Sequence, residues 1–291
     1  MSAVDAEGVL TLPRSRRWFP RMRGSAGIYA GGSIIVLLTV IALAAPLIAP
    51  YNPDHVDLSS TLSGFSSAHP LGTDSAGRDI LSRLVYGTRL SLLGPLAVVA
   101  VSILVGVPAG LIAGFRGGWA DTVISRLSDI VFGFPPLLLA IVVVATFGAG
   151  FWTAVIAIAI TYIPLQARVT RSLVVVESRS AYVDACRIQG MSGRRTTLLH
   201  ILPNVAAGIT AQSTLNFGYA LLDLAGLAFL GLGVQPPTPD WGQMLSDGRQ
   251  SMLLSVNEVA VVSIAIAIAV IAFNLLGDSL AQRLSRDGAR G

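Results

Sequence analysis

Of 291 residues, 53% are hydrophobic and only 12% charged, against roughly 25% charged in an average soluble domain; with a mean hydropathy of +0.70, a water-soluble fold could not cover its own apolar surface. All twenty basic residues behind the net charge of +4 are arginines, so the chain lacks the lysine that a phosphate-binding P-loop requires, and any ATPase that drives it must be a separate polypeptide. Cys186 stands alone, His55, His69 and His200 are scattered, and the arginines are dispersed among apolar segments, which excludes an internal disulfide, a cysteine-rich zinc site and a nucleic-acid-binding face.

In chain order, six stretches meet the roughly 20 apolar residues that a membrane-crossing helix needs: 28–49, 90–114, 122–149, 152–176, 205–233 and 257–279. The first follows a basic tail, 1–27, in which Trp18 and Phe19 suit an interfacial anchor. Its run of about 22 residues exceeds the ~7–15 of a signal-peptide core, so it is expected to remain as a span. Pro95 and Pro108 in the second stretch and Pro135–Pro136 in the third are expected to bend their helices rather than break them, since neighbouring helices can satisfy the freed carbonyls. Gly106, Gly110 and Gly114, spaced by four, suit close helix contact.

Charge asymmetry gives the expected direction. With the N-terminus inside, the inner segments are 1–27, 115–121, 177–204 and 280–291, and only Arg78, Arg83, Arg89 and Arg249 of the twenty arginines fall outside. The positive-inside rule therefore places both termini in the cytoplasm. Two outer segments, 50–88 and 234–256, are dense in proline and glycine, which sets turns and ordered loops. Arg126 and Asp129 share a helical face near Asp121 and are expected to pair. Asp223, with Asn216 on the same helix, is the best candidate for an ionisable group inside a span. It is expected to line a translocation path or to bond a neighbouring helix.

Residues Tyr182–Asn204 read as two short helices broken between Gly190 and Gly193, where glycine permits a turn that a side chain would obstruct. The segment resembles the coupling loop of the membrane subunits of binding-protein-dependent ABC importers. Asp184, Ala185, Cys186, Gly190, Leu202 and Pro203 fall on the family's Glu-Ala-Ala, glycine and Leu-Pro positions with the spacing intact; Asp184 replaces glutamate and Cys186 replaces alanine. Residues 45–50, 69–92 (including Gly72, Thr73, Asp74, Gly77, Arg78 and Asp79) and 229–245 (including Trp241) resemble the second permease of dipeptide and oligopeptide importers.

That resemblance implies an all-α membrane protein of six transmembrane helices, a type I ABC importer (MetI-like) core at 89–279 preceded by one extra helix at 28–49. It implies that Asp184–Gly190 contacts an ATPase and that the outer loops at 62–88 and 234–250 dock an extracytoplasmic peptide-binding lipoprotein. Two cytoplasmic ATPases and a homologous permease complete the assembly. The chain itself binds no cofactor, ATP and magnesium lying on its partners, and it performs no covalent chemistry. Nickel-chelate, glutathione and some sugar importers use permeases of the same family. A proton-coupled carrier would be expected to show several deep acidic residues and repeat symmetry, and a membrane enzyme a catalytic constellation at depth.

Overall fold

The computed structural model describes residues 24–287, so the N-terminal tail with Trp18 and Phe19, and residues 288–291, lie outside it. The described chain is helical: α1 Gly24–Leu43, α2 Ala45–Ile48, α3 Ile80–Arg116, α4 Gly118–Phe132, α5 Pro136–Phe147, α6 Phe151–Glu177, α7 Ala181–Ile188, α8 Gly193–Thr196, α9 Leu202–Phe229, α10 Trp241–Ser251 and α11 Asn257–Asp287. Among the described residues there is no strand beyond a single bridge between Thr73 and Asp79. The long helices share two ends. One carries α7, α8 and the start of α9, and is called the elbow end; the other carries residues 50–79 and α10, and is called the loop end.

Four helices, α1, α3, α6 and α11, are long and apolar enough to cross a membrane, and α4 with α5 makes a fifth if counted as one bent span. The expected third span does not merely bend. It breaks after Phe132 and restarts at Pro136 at an angle of 83°. Two consecutive prolines remove two donors and force extended backbone before the second, and Pro135 accordingly has ψ 128°. The single prolines Pro95 and Pro108 stay within the continuous α3, and Pro164 within α6.

The stretch expected as the fifth span forms α9, 28 residues long but too polar to be counted with the others by composition. Some of its polar side chains, Ser213 and Asn216, turn inward. Asn216 is fully buried, donating to Gln166 Oε1 of α6 at 3.1 Å and accepting from Gln212 at 2.9 Å. Hydrogen bonds between helices, rather than apolarity, accommodate this element.

Helix α3 has 37 residues, about 55 Å at ~1.5 Å per residue, against a hydrocarbon core of ~30 Å. Its first turns therefore stand beyond the apolar run that begins near residue 90. Along its other half, Gly106, Gly110 and Gly114 meet the backbone of α6. A Cβ on Gly110 would stand 2.5 Å from Ala167 O and 2.6 Å from Thr170 Cβ. Gly110→Leu is expected to force these helices apart at a cost of about 1–3 kcal/mol, read as a lower melting temperature of the purified chain; an unchanged melting temperature would contradict close packing here.

Three apolar clusters hold the bundle. One joins α3, α5, α6 and α9 around Ile158 and Leu227. A second joins α1, α3, α9, α10 and α11 around Leu221, Met244 and Val262. The third lies under the elbow, around Val107, Val174, Val183 and Ile201.

Candidate functional site

The elbow is built from the α6 terminus onward. In α7, Val183 joins the third apolar cluster and Cys186, three residues on, is also buried, while Asp184, Ala185, Arg187 and Ile188 face outward, Ile188 being 88% exposed. Cys186 is therefore an inward packing residue, small enough to seat the helix, and the outward contact surface consists of the residues flanking it. Asp184 accepts from Arg187 at 3.0 Å across one turn of this exposed face.

The break is a defined cap. Gly190 N–H donates to Arg187 O and Met191 N–H to Cys186 O, both at 3.0 Å, with Gly190 at φ +71°. This is the left-handed glycine closure of a helix C-terminus. Beyond it, α8 runs through a π-helical turn, Thr197–Ile201, directly into α9. Leu202 N–H reaches back to Thr197 O, and the widened turn accommodates Pro203, which has no N–H to donate and needs room for its ring. Leu202 packs partly against the third cluster, and Pro203 is exposed.

Three side chains not singled out in the sequence pin the elbow to the bundle. Tyr182 Oη donates to Glu177 Oε1 at 2.8 Å, and Asn204 Nδ2 donates to the same carboxylate at 3.2 Å and to Tyr182 Oη at 3.1 Å. Burial raises the pKa of the Tyr182 hydroxyl, and its bond to Glu177 adds to this. The end of α6, the first turn of α7 and the start of α9 are thus tied together. Spacings of five and twenty-two residues between these groups carry no periodic signal, so only the fold reveals them. Beside the elbow an apolar groove of about 870 Å³ runs along α3, lined in part by Val107, Leu111, Phe115 and Leu198.

At the elbow end, α4 is attached to α6 by ion pairs. Asp129 accepts from Arg168 at 2.9 Å, and Asp121 binds Arg171 in a two-pronged pair. The expected Arg126–Asp129 pair does not form, because α6 lies close enough to take the carboxylate from another helix.

At the loop end, the residues expected to dock a partner mostly fold the loop itself. Thr73, Asp74 and Asp79 are buried, as is Trp241 at 1% exposure. Asp74 Oδ1 accepts from Ala76 N–H and Arg78 N–H, each at 2.9 Å, and Arg78 bridges Asp74 at 2.6 Å to Asp247 of α10 at 3.1 Å. Burial works against the charge on Arg78, but the two carboxylates outweigh it and raise its pKa. Gly72 and Gly77 have φ near +80°, and a Cβ on Gly77 would collide with Asp57 O. Asp79 caps α3 through Ser82 N–H at 2.8 Å and holds His69 Nδ1 at 2.9 Å. Asp240 caps α10 and accepts from Ser91 at 2.8 Å; burial raises its pKa. Trp241 Nε1 donates to Leu84 O at 3.1 Å. These residues can serve docking only by shaping the exposed shell around them.

Asp223 lies about 9 Å from the loop-end terminus of α9, at ~1.5 Å per residue, and accepts from Tyr162 Oη of α6 at 2.9 Å. Both bonding to a neighbouring helix and partial exposure are therefore present. Among the described residues no cluster of His, Cys, Asp and Glu could hold a metal ion.

Comparison with known proteins follows the same lines. Residues 106–288 match the family model "Binding-protein-dependent transport system inner membrane component", and residues 16–68 match "N-terminal TM domain of oligopeptide transport permease C". The chain is 44% identical to the di/tripeptide transport system permease protein DppC of Pseudomonas aeruginosa, with 97% of this chain and 95% of that protein covered. It is 41% identical to the glutathione transport system permease protein GsiD of Pectobacterium atrosepticum, with coverage of 88% and 85%. A solved structure of the MetNI methionine ABC transporter in an inward-facing conformation aligns with a TM-score of 0.58 at 17% identity, over 70% of this chain and 97% of that one, which shows the shared fold. The chain is thus a multi-pass membrane transport permease and belongs to the family of binding-protein-dependent transport system inner membrane components.

Proposed function

We propose that this chain forms one half of the translocation pathway of an ATP-driven importer of dipeptides and oligopeptides. The observation that carries the reading is the elbow. A short amphipathic helix ends in a left-handed glycine and is clamped through Glu177, Tyr182 and Asn204 to two long helices. Its outward face of Asp184, Ala185, Arg187 and Ile188 has no partner within the described chain beyond its own ion pair. A push on that face tilts α6 and α9 together, which is what a separate ATPase needs in order to move a pore.

In this reading α9 is the fifth of six spans, with neighbouring helices shielding its buried polar residues. The arginine-rich elbow end is cytoplasmic, where ATP is available, and the loop end, with only Arg78, Arg83, Arg89 and Arg249, faces outward. Two ATPases carry the ATP and magnesium, a homologous permease covers the open apolar groove along α3, and a peptide-binding lipoprotein docks on the loop end. The dipeptide and di/tripeptide relatives support the cargo assignment. The glutathione relatives support a second reading, in which the cargo is that modified tripeptide.

Reconstitution with candidate partners in proteoliposomes tests both. Alanyl-alanine delivered by the binding protein is expected to stimulate ATP hydrolysis and to accumulate inside. Stimulation by glutathione alone would select the second reading, and uptake without any ATPase would overturn both.

A further inference from the structure

The polar side chains along the seam between α6 and α9 fall into two groups. Gln166, Gln212 and Asn216 bond one another and are closed off within the bundle. Asp223, about two turns further along the same face, is the only formally charged side chain in α9, and it is left half open. Tyr162, itself 5% exposed, donates to Asp223 Oδ2 at 2.9 Å. Among the described residues, no hydrogen bond or ion pair reaches the other carboxylate oxygen, and it is not one of the buried polar atoms without a partner. The surface beside it consists of Tyr219, 53% exposed one turn earlier, and Leu222, 45% exposed.

A carboxylate within a span that meets lipid without a cation is costly, and such groups face a bundle interior or a watered cavity. In the single chain this oxygen is left open rather than enclosed, and in the importer reading the face carrying it borders the aqueous path between two permeases. We propose that Asp223 is a specificity-determining residue of that path, its open oxygen receiving the α-ammonium of a passing peptide, while the bond from Tyr162 to the other oxygen ties α9 to α6. The assignment rests on the importer reading above. An unmodified peptide carries its ammonium whatever its side chains, so one fixed carboxylate serves varied cargo. Because one oxygen is already occupied by Tyr162, the ammonium gains a single contact and can leave again. Tyr219 adds an exposed aromatic ring one turn away, suited to a cation near its face.

Two substitutions separate charge from packing. Asp223→Asn keeps an oxygen for Tyr162 and removes the charge; Tyr162→Phe removes the hydrogen bond and keeps the charge. In the complete complex in proteoliposomes, initial uptake of alanyl-alanine at saturating binding protein is expected to fall at least tenfold in Asp223→Asn. It should stay within threefold of wild type in Tyr162→Phe, and Asp223→Glu should recover most of the rate, at equal amounts of assembled complex. Wild-type uptake by Asp223→Asn would overturn the assignment. So would a loss in Tyr162→Phe as deep as that in Asp223→Asn, since the tie between helices would then be what matters. A wild-type complex that moves no peptide would instead overturn the importer reading itself, and the assignment with it.

Discussion

Replacing Gly190 with tryptophan is expected to leave membrane insertion intact while abolishing both uptake and cargo-stimulated ATP hydrolysis. Gly190 is exposed and a Cβ on it meets no atom within 4 Å, so a side chain there starts into open space, and the expected obstruction is to another protein that approaches this face. The backbone cost is separate. At φ +71° an L-residue pays roughly 1–2 kcal/mol, confined to the closure of α7 and remote from the apolar clusters that hold the bundle. Gly190→Ala carries the same backbone cost with little bulk, so it isolates strain from obstruction. Alanine is expected to reduce uptake only partly and tryptophan to eliminate it. Protease protection reads insertion; uptake and ATP hydrolysis in proteoliposomes read coupling. Normal uptake by the tryptophan variant would remove this segment from force transmission.

How much of this was legible in the sequence depends on the range of the interaction. The elbow is local. A glycine four residues past Cys186 belongs to one helix and its cap, so the pattern shows it, whereas the burial of Cys186 that removes it from the outward contact surface depends on packing against other helices and is not in the spacing. The glycine stripe on α3 is also local, because its period is that of the helix. The broken span needed a finer distinction: a lone Pro95 or Pro164 leaves the helix continuous, whereas Pro135–Pro136 removes adjacent donors and fixes an extended residue between the two halves. Pairing between elements was not legible. Spacing offered Arg126 to Asp129, but the fold brought Arg168 instead. Likewise Thr73, Asp74 and Trp241 sit in polar, proline-rich stretches that read as surface, yet Thr73 is bonded into its own loop, Arg78 and Arg83 face Asp74, and α3 holds Trp241. Nothing in the spacing joins Glu177 to Asn204, or Arg83 to the residues around it.

Arg83 is where the largest loss of stability is expected. Its side chain is fully buried at the junction of the 50–79 segment, α3 and α10. Nη1 donates to Pro53 O and Pro237 O, both at 3.2 Å, and Nε stands 3.7 Å from Asp74 Oδ2. One guanidinium therefore closes two loops onto the helix and faces carboxylates that Arg78 alone cannot balance. Arg83→Ala would strip two carbonyls, that of buried Pro53 among them, of their donor and leave Asp74 short of positive charge. Removing one partner of a buried charge group costs about 3–5 kcal/mol, and the melting temperature of the detergent-purified complex should fall clearly. Arg83→Lys should recover only part, since an ammonium cannot span both carbonyls and the carboxylate as the planar fork does. Glu258 provides the contrast. It is 3% exposed, and neither carboxylate oxygen has a hydrogen-bond partner, so its charge is desolvated without direct compensation. Glu258→Gln is therefore expected to be neutral or stabilising in the same measurement. If Glu258→Gln proved as damaging as Arg83→Ala, the two would be acting as a counter-charge pair across this junction, and the loop end would depend on its net charge rather than on the guanidinium's hydrogen bonds.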